Sequence, residues 1–249
     1  MSVQPGLSIL YEDGQLLAVD KPAGVHSAPL RPGESGTLLG LVIARYPEVA
    51  GLPGIKPVEP GLLHRLDRET SGILLVARTA EAFSSLRAEF EAGRVRKEYI
   101  ALCACRVEAR AGKRLWLESR FAPYGRGGRR VRVLLPGEEG RYAARQASPR
   151  LYRTEVQVLE RQGSWALVRA NLLRGFRHQV RAHLAHLGLP IAGDDLYGVE
   201  APPGVPERLY LHASALELPH PASGQALRLS SPLPPEFRLP PAGGGVGRD

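Results

Sequence analysis

A chain of 249 residues, 43% hydrophobic and 23% charged, can bury a sizeable core and has the balance of an ordinary soluble globular protein. It contains no run near the roughly 18 uninterrupted apolar residues of a membrane helix. The start MSVQPGLSILYEDG also lacks the basic and apolar regions of a secretion signal, so no membrane association and a cytoplasmic location are expected. The net charge of +8 rests almost wholly on arginine, with 29 Arg and 4 Lys.

The first elements read as strand, turn and strand. Leu7–Tyr11 and Leu16–Val19 are short β-prone runs, and Asp13-Gly14 between them is a hairpin signal. Pro22 ends the second strand because it has no N–H for a ladder. Thr37 is placed to cap a helix through Leu38, Leu41 and Val42 to about Tyr46, stopped by Pro47. A loop rich in glycine and proline then leads to HRLDRETSGILL, residues 64–75, where Asp67 stands between Arg65 and Arg68 just before an apolar run.

That run, Ile73–Ala77, has the length of a buried strand. Thr79 opens a helix with Phe83, Leu86 and Phe90 on one face, and Gly93 closes it. In the strand Val95–Leu102, Val95, Lys97, Tyr99 and Ala101 share one side. The period of two also puts Cys103 and Cys105 on one side of a strand, which reads as structural because a zinc site usually needs four ligands. The basic stretch that follows reads as hairpins and loops. Val156–Leu159 and Trp165–Ala170 are strands. A second helix begins near Arg177 or His178, with Val180, Leu184 and Leu187 on one face and Gln179, Arg181, His183 and His186 off it. The closing part alternates turns with short strands. Residues 1–240 are expected to form a single domain, followed by a flexible glycine-rich tail over 241–249. Strands outnumber helices without regular βαβ alternation, which predicts an α+β fold: a mixed, largely antiparallel sheet with flanking helices.

The charge is concentrated. Between Arg106 and Arg153 there are 13 basic and four acidic residues, so this stretch carries +9 and the remainder about −1. A compositional preference for arginine spreads evenly, whereas this cluster peaks at Arg126, Arg129, Arg130 and Arg132. Guanidinium groups bind phosphate oxygens in pairs and stack on bases, so the cluster points to nucleic acid.

Asp67 is the most informative carboxylate. Neighbouring arginines suit a charged group acting as nucleophile or electrostatic stabiliser, although a lone loop of this kind also fits a structural ion pair or a turn cap. Asp67 and Glu69 sit too close in sequence to form the opposed pair of a glycosidase, and such clefts are richer in Trp. His183 and His186 are neighbours on a helix, but His178 points elsewhere and no carboxylate completes a set, so no metal is expected.

Taken together, the stretches resemble the RluA-like family of RNA pseudouridine synthases. HRLDRETSGILLVA (64–77) is similar to the family's signature, LAVDKPAGVHSAP (17–29) to its opening strand and turn, and RKEYIALC (96–103) to its lysine-x-tyrosine strand. HQVRAHLAHLGLPIAGDDLYG (178–198) is similar to its third motif and LHASALELPHP (211–221) to the closing stretch, so the likeness runs from about residue 9 to 235. The resemblance implies a pseudouridine synthase catalytic fold with a central RNA-binding cleft. It implies Asp67 as the catalytic carboxylate, Arg65 as filler of the space left by a flipped base, and Tyr99 as the ring stacked on the target uracil. Lys97 is implied as a supporting residue and Arg181 as a partner of Asp67.

The resemblance further implies that no cofactor is used, because the isomerisation is neither redox nor a transfer to a second molecule. The partner implied is structured RNA, ribosomal or transfer, and a lone catalytic domain without an S4-type RNA-binding domain in front points to a monomer. The sequence departs from the family at Arg174-Gly-Phe-Arg177, where Phe176 replaces an arginine and Arg177 a threonine. That departure keeps open a catalytically silent RNA-binding or assembly protein on the same scaffold, which binds RNA without forming pseudouridine. A nucleoside hydrolase using Asp67 is the other alternative and predicts free uracil.

Overall fold

In the computed structural model, which describes residues 6–137 and 146–240, the chain divides into two compact units. The first comprises residues 1–97 and 212–233, and the second residues 98–211 and 234–249. The tail expected over 241–249, and Arg141 and Arg145 of the basic stretch, lie outside the described residues.

The first unit opens with the predicted hairpin, β1 (Ser8–Glu12) antiparallel to β2 (Leu16–Lys21). Asp13 makes the turn, its Oδ1 accepting the N–H groups of Gln15 at 2.7 Å and Leu16 at 2.9 Å. β2 pairs antiparallel with β3 (Ser71–Ala77), in register from Leu16 opposite Ala77 to Lys21 opposite Gly72. Every residue of β3 is buried, as the unbroken apolar run predicts. β3 then pairs in parallel with β9 (Leu211–Pro219), which carries β10 (Ala226–Ser230) antiparallel on its other edge.

Both early helices start where a threonine can accept an orphan N–H. Thr37 caps α1 (Leu38–Arg45) through Gly40, and Thr79 caps α2 (Ala80–Ala92) through Ala82 at 3.1 Å. Each cap stabilises its helix by about 1 kcal/mol. α2 buries Phe83, Leu86 and Phe90, and ends at Gly93, whose φ of 74° suits glycine.

In the second unit the strand order is β4 (Arg96–Ala104, from Glu98 on), β8 (Trp165–Leu172), β7 (Tyr152–Gln162), β5 (Arg114–Tyr124) and β6 (Arg130–Leu134). β5 is an eleven-residue strand inside the basic stretch, antiparallel to β7 along its first half and to β6 along its second. The two units together carry the α+β fold and largely antiparallel strand pairing expected.

Two expectations need correction. β4 ends at Ala104, so Cys105 lies beyond the strand and its thiol donates to the Val107 carbonyl at 3.2 Å. Cys103 is fully buried, and burial pushes its thiol pKa up. The second correction concerns α3 (Gln179–His186), for which the sequence predicts one buried apolar stripe. Gln179, Arg181 and His183 are buried too, leaving His186 exposed. Hydrophobic periodicity misses such a helix because each buried polar side chain is matched by a partner distant in sequence. Gln179 Nε2 donates to Thr154 Oγ1 at 3.0 Å, and His183 lies 2.8 Å from both Ser119 Oγ and Thr154 Oγ1.

Candidate active site

The loop bearing Asp67 folds back onto its own following strand. Leu62 bridges Val76, the Leu63 N–H donates to the Leu75 carbonyl at 3.2 Å, and the Leu75 N–H donates to His64 Nε2 at 3.2 Å. Residues 65–70 form the end of this return, closed by the Thr70 N–H donating to the Asp67 carbonyl at 3.1 Å. The residues on either side of Asp67 are pinned. Ser27 Oγ donates to the Leu66 carbonyl at 2.9 Å and accepts the Leu66 N–H at 3.0 Å. The Arg68 carbonyl accepts Lys21 Nζ at 2.8 Å and the Gly24 N–H at 2.9 Å.

Lys21 is fully buried, and its ammonium also donates to the carbonyls of Pro22 and Val25. Gly24 holds φ at 82°, a conformation an L side chain strains against. The Lys-Pro-Ala-Gly turn therefore clasps the backbone beside Asp67, whose side chain stays half-buried. Arg65 is turned by Glu59, with Nη1 2.7 Å from Oε1; the carboxylate is buried and the guanidinium remains 46% exposed. Two residues beyond the loop, Gly72 has φ 113°, and a Cβ there would stand 2.2 Å from the Ala213 carbonyl oxygen. Glycine is required for β3 to approach β9, and Ser71 Oγ beside it lies 3.0 Å from His212 Nδ1.

Beneath the loop His64 stacks on Phe90 at 5.4 Å, and Lys97 Nζ sits 5.3 Å from the same ring. Burial, then the charges of Lys97 and Arg87, hold the His64 pKa down at about 3, so the imidazole is neutral. Burial, then Arg87, lowers Lys97 to about 8. The first unit thus carries Asp67 and Arg65 on one loop and Lys97 against Phe90, the ring on which His64 stacks.

The second unit carries Tyr99 and Arg181. Tyr99 is partly buried against the core of that unit. Arg181, from α3, forks onto Asp194, with Nε to Oδ2 at 2.8 Å and Nη2 to Oδ1 at 2.6 Å, and also reaches Asp195 at 3.2 Å. Asp194 Oδ1 accepts the N–H groups of Leu196 and Tyr197 as well. The Arg181 guanidinium lies 5.6 Å from the Tyr197 ring, and the Tyr197 hydroxyl accepts the Val131 N–H at 2.6 Å.

Phe176 and Arg177, the two departures from the motif, have clear surroundings. Phe176 stacks on Phe121 with centroids 5.0 Å apart and packs against Tyr152. Arg177 donates to the carbonyls of Gly128 and Arg130, tying α3's entry to the tip of the β5–β6 hairpin.

Sequence reasoning passes over Lys21, Ser27, Asp194 and Tyr197. Lys21 has a visible signal, a lysine ending an apolar strand against a proline turn. Ser27 and the Asp194 partnership have none, because their partners lie 39 and 13 residues away. Among the described residues no three His, Cys, Asp or Glu side chains gather as a metal site. No described helix is long and apolar enough to cross a membrane.

The residue pattern of the family described as RNA pseudouridylate synthase matches residues 15–186. A ribosomal large subunit pseudouridine synthase D of Pseudomonas aeruginosa is 33% identical over 243 residues, covering 93% of this chain and 69% of its own. An uncharacterised RNA pseudouridine synthase of Chloroflexus aurantiacus is 39% identical over 223 residues, covering 88% and 64%. The chain therefore spans about two thirds of the length of these curated relatives. Among solved structures, human RNA pseudouridylate synthase domain containing 1 superposes with a TM-score of 0.69 at 27% identity, covering 93% of this chain and 85% of that one.

Proposed function

The chain belongs to the RNA pseudouridylate synthase family, and on that premise we propose that it isomerises a uridine of ribosomal RNA to pseudouridine with Asp67 as the catalytic carboxylate. The observation that carries this reading is the clasp around Asp67. Backbone atoms at Leu66 and Arg68 are held by Ser27, Lys21 and Gly24, while the carboxylate between them stays half-buried at the end of a return into a buried strand. A reacting group so held loses little freedom when the substrate arrives.

In the reaction the C1′–N1 bond breaks, the uracil turns, C1′–C5 forms, and the proton leaving C5 is balanced by one gained at N1. The carboxylate either attacks C1′ or takes a proton from C2′. The base must leave its stack first, so a filler and a stacking ring are needed, roles that fall to Arg65 and Tyr99. Lys97 is the supporting residue in this reading, and Arg181 is the partner that keeps Asp67 ionised and oriented. No cofactor enters, since the electrons and atoms of the product are those of the substrate. Ribosomal RNA is favoured over transfer RNA by the name of the Pseudomonas relative.

The test is pseudouridine mapping of ribosomal and transfer RNA from a strain lacking the gene, against its parent. One ribosomal uridine is expected to lose its modification and to regain it with the wild-type protein but not with Asp67→Asn, which should fold and bind RNA as wild type does. Restoration by Asp67→Asn removes the catalytic assignment. A lost site in transfer RNA moves the substrate to that class.

A further inference from the structure

β5 has two different faces. Ser119 and Phe121 face α3, where each meets His183. By the two-residue period of a strand, Trp116, Glu118, Arg120, Ala122 and Tyr124 face the other way. On this outward face Trp116 is 60% exposed and Tyr124 46% exposed. Each ring has a guanidinium over it, Arg153 at 4.9 Å from Trp116 and Arg132 at 4.4 Å from Tyr124. The strand register puts these arginines on the same face, since Arg153 lies opposite Glu118 and Arg132 opposite Ala122.

The neighbours of the two rings decide what the face can bind. A surface made for an apolar protein partner surrounds its aromatics with aliphatic side chains and few charges. Here the rings alternate with guanidinium groups, the arrangement of surfaces that stack bases and track phosphates. Glu155 pairs with Arg153 at 3.2 Å, but both side chains are more than half exposed, so exchanging that carboxylate for a phosphate costs little. Trp116 and Tyr124 stand eight residues apart, roughly 26 Å along a strand, within reach of the about 4–16 nucleotides that such grooves commonly take.

We propose that the outward face of β5 is a binding surface for single-stranded RNA, with bases stacked on Trp116 and Tyr124 and phosphates held by Arg120, Arg132 and Arg153. This rests on the reading of the chain as an RNA-modifying enzyme, and adds a surface on the side of the strand opposite α3 and Arg181.

The test uses the intrinsic fluorescence of the full chain. Of the two tryptophans, Trp165 is 3% exposed, so a change on binding reports Trp116. A single-stranded oligouridylate of about 10 nucleotides is titrated, with filter binding of the same oligonucleotide alongside. The expected result is a saturable quench that follows the binding curve and disappears in Trp116→Phe, which keeps a stacking ring and binds within about twofold of wild type. Trp116→Ala should weaken binding about tenfold. Binding without any quench, equal affinity in Trp116→Ala, or no binding of the oligonucleotide overturns the proposal. A quench produced by a copurifying protein and not by RNA also overturns it, in favour of a protein partner. Failure of the enzyme reading shows separately, as a wild-type protein that forms no pseudouridine.

Discussion

Arg181 is held by Asp194 in a two-pronged pair, with bonds of 2.8 and 2.6 Å, the arginine side chain 7% exposed and the carboxylate fully buried. The same carboxylate accepts two backbone N–H groups from the turn that follows it, so the guanidinium is fixed to backbone as well as to a side chain. Asp194 thus acts as a positioning residue for Arg181.

Asp194→Ala should therefore cost about 3–5 kcal/mol, because it removes the fully buried carboxylate that holds this buried guanidinium at two atoms. Asp195, 74% exposed and 3.2 Å from the same arginine, should cost under about 1 kcal/mol when replaced by alanine. Urea unfolding of the two variants measures both. Similar losses in the two would mean that burial does not govern this pair.

The tip of the β5–β6 hairpin hangs on two side chains, the Tyr197 hydroxyl that takes the Val131 N–H and the Arg177 guanidinium that takes two carbonyls. Tyr197→Phe leaves a buried N–H unpaired and should destabilise by about 1–3 kcal/mol. Arg177→Ala should leave stability within about 0.5 kcal/mol and raise KM for RNA with little change in kcat, since it frees the arginine-rich tip. A fall in kcat at unchanged KM would place Arg177 in the chemistry instead.

Arg129 and Arg130 stand at the densest part of the charge. Changing both to Glu should weaken RNA binding and flatten the plot of log affinity against log salt, by about 0.7–0.9 for each phosphate that the protein no longer neutralises. Affinities measured across a salt series give both quantities. An unchanged slope would mean that these two residues do not hold phosphates.

His64 and His183 are each held neutral in the folded protein, with pKa values lowered from 6.5 to about 3, chiefly by burial. The unfolded chain takes up protons below pH 6.5 that the native state refuses down to about pH 3. Stability from these groups is thus fully present above 6.5 and lost as pH falls from there toward about 3. Unfolding free energies at several pH values across this window should show a slope approaching about two protons from these groups, reduced by about one in His64→Gln. A slope identical in the variant would mean that His64 titrates normally.

Much of the frame was legible in the chain. Asp13 marked the first turn, Thr37 and Thr79 the helix starts, Gly93 a helix end, and the all-apolar run of β3 a buried strand. These are local signals, carried by residues one to four positions from what they control. The resemblance singled out Asp67, and the loop then showed the pinned backbone on either side of it. β5 was less legible, because a strand dense in arginine, with Trp116 and Tyr124 outward, has a weak apolar alternation.

By itself, then, the sequence determined the α+β class, the helix caps and turns, the family, and the position of the charge, all properties of composition or of neighbouring residues. Tertiary structure alone decided that Lys21 and Ser27 clasp the Asp67 loop, that Asp194 holds Arg181, that α3 is buried on its polar sides, and that Arg177 carries the basic hairpin. Each of these is a hydrogen bond or ion pair between residues separated by 13 to 64 positions. No periodicity or propensity registers such a bond, because its stabilisation exists only once the chain has folded and removed both partners from water.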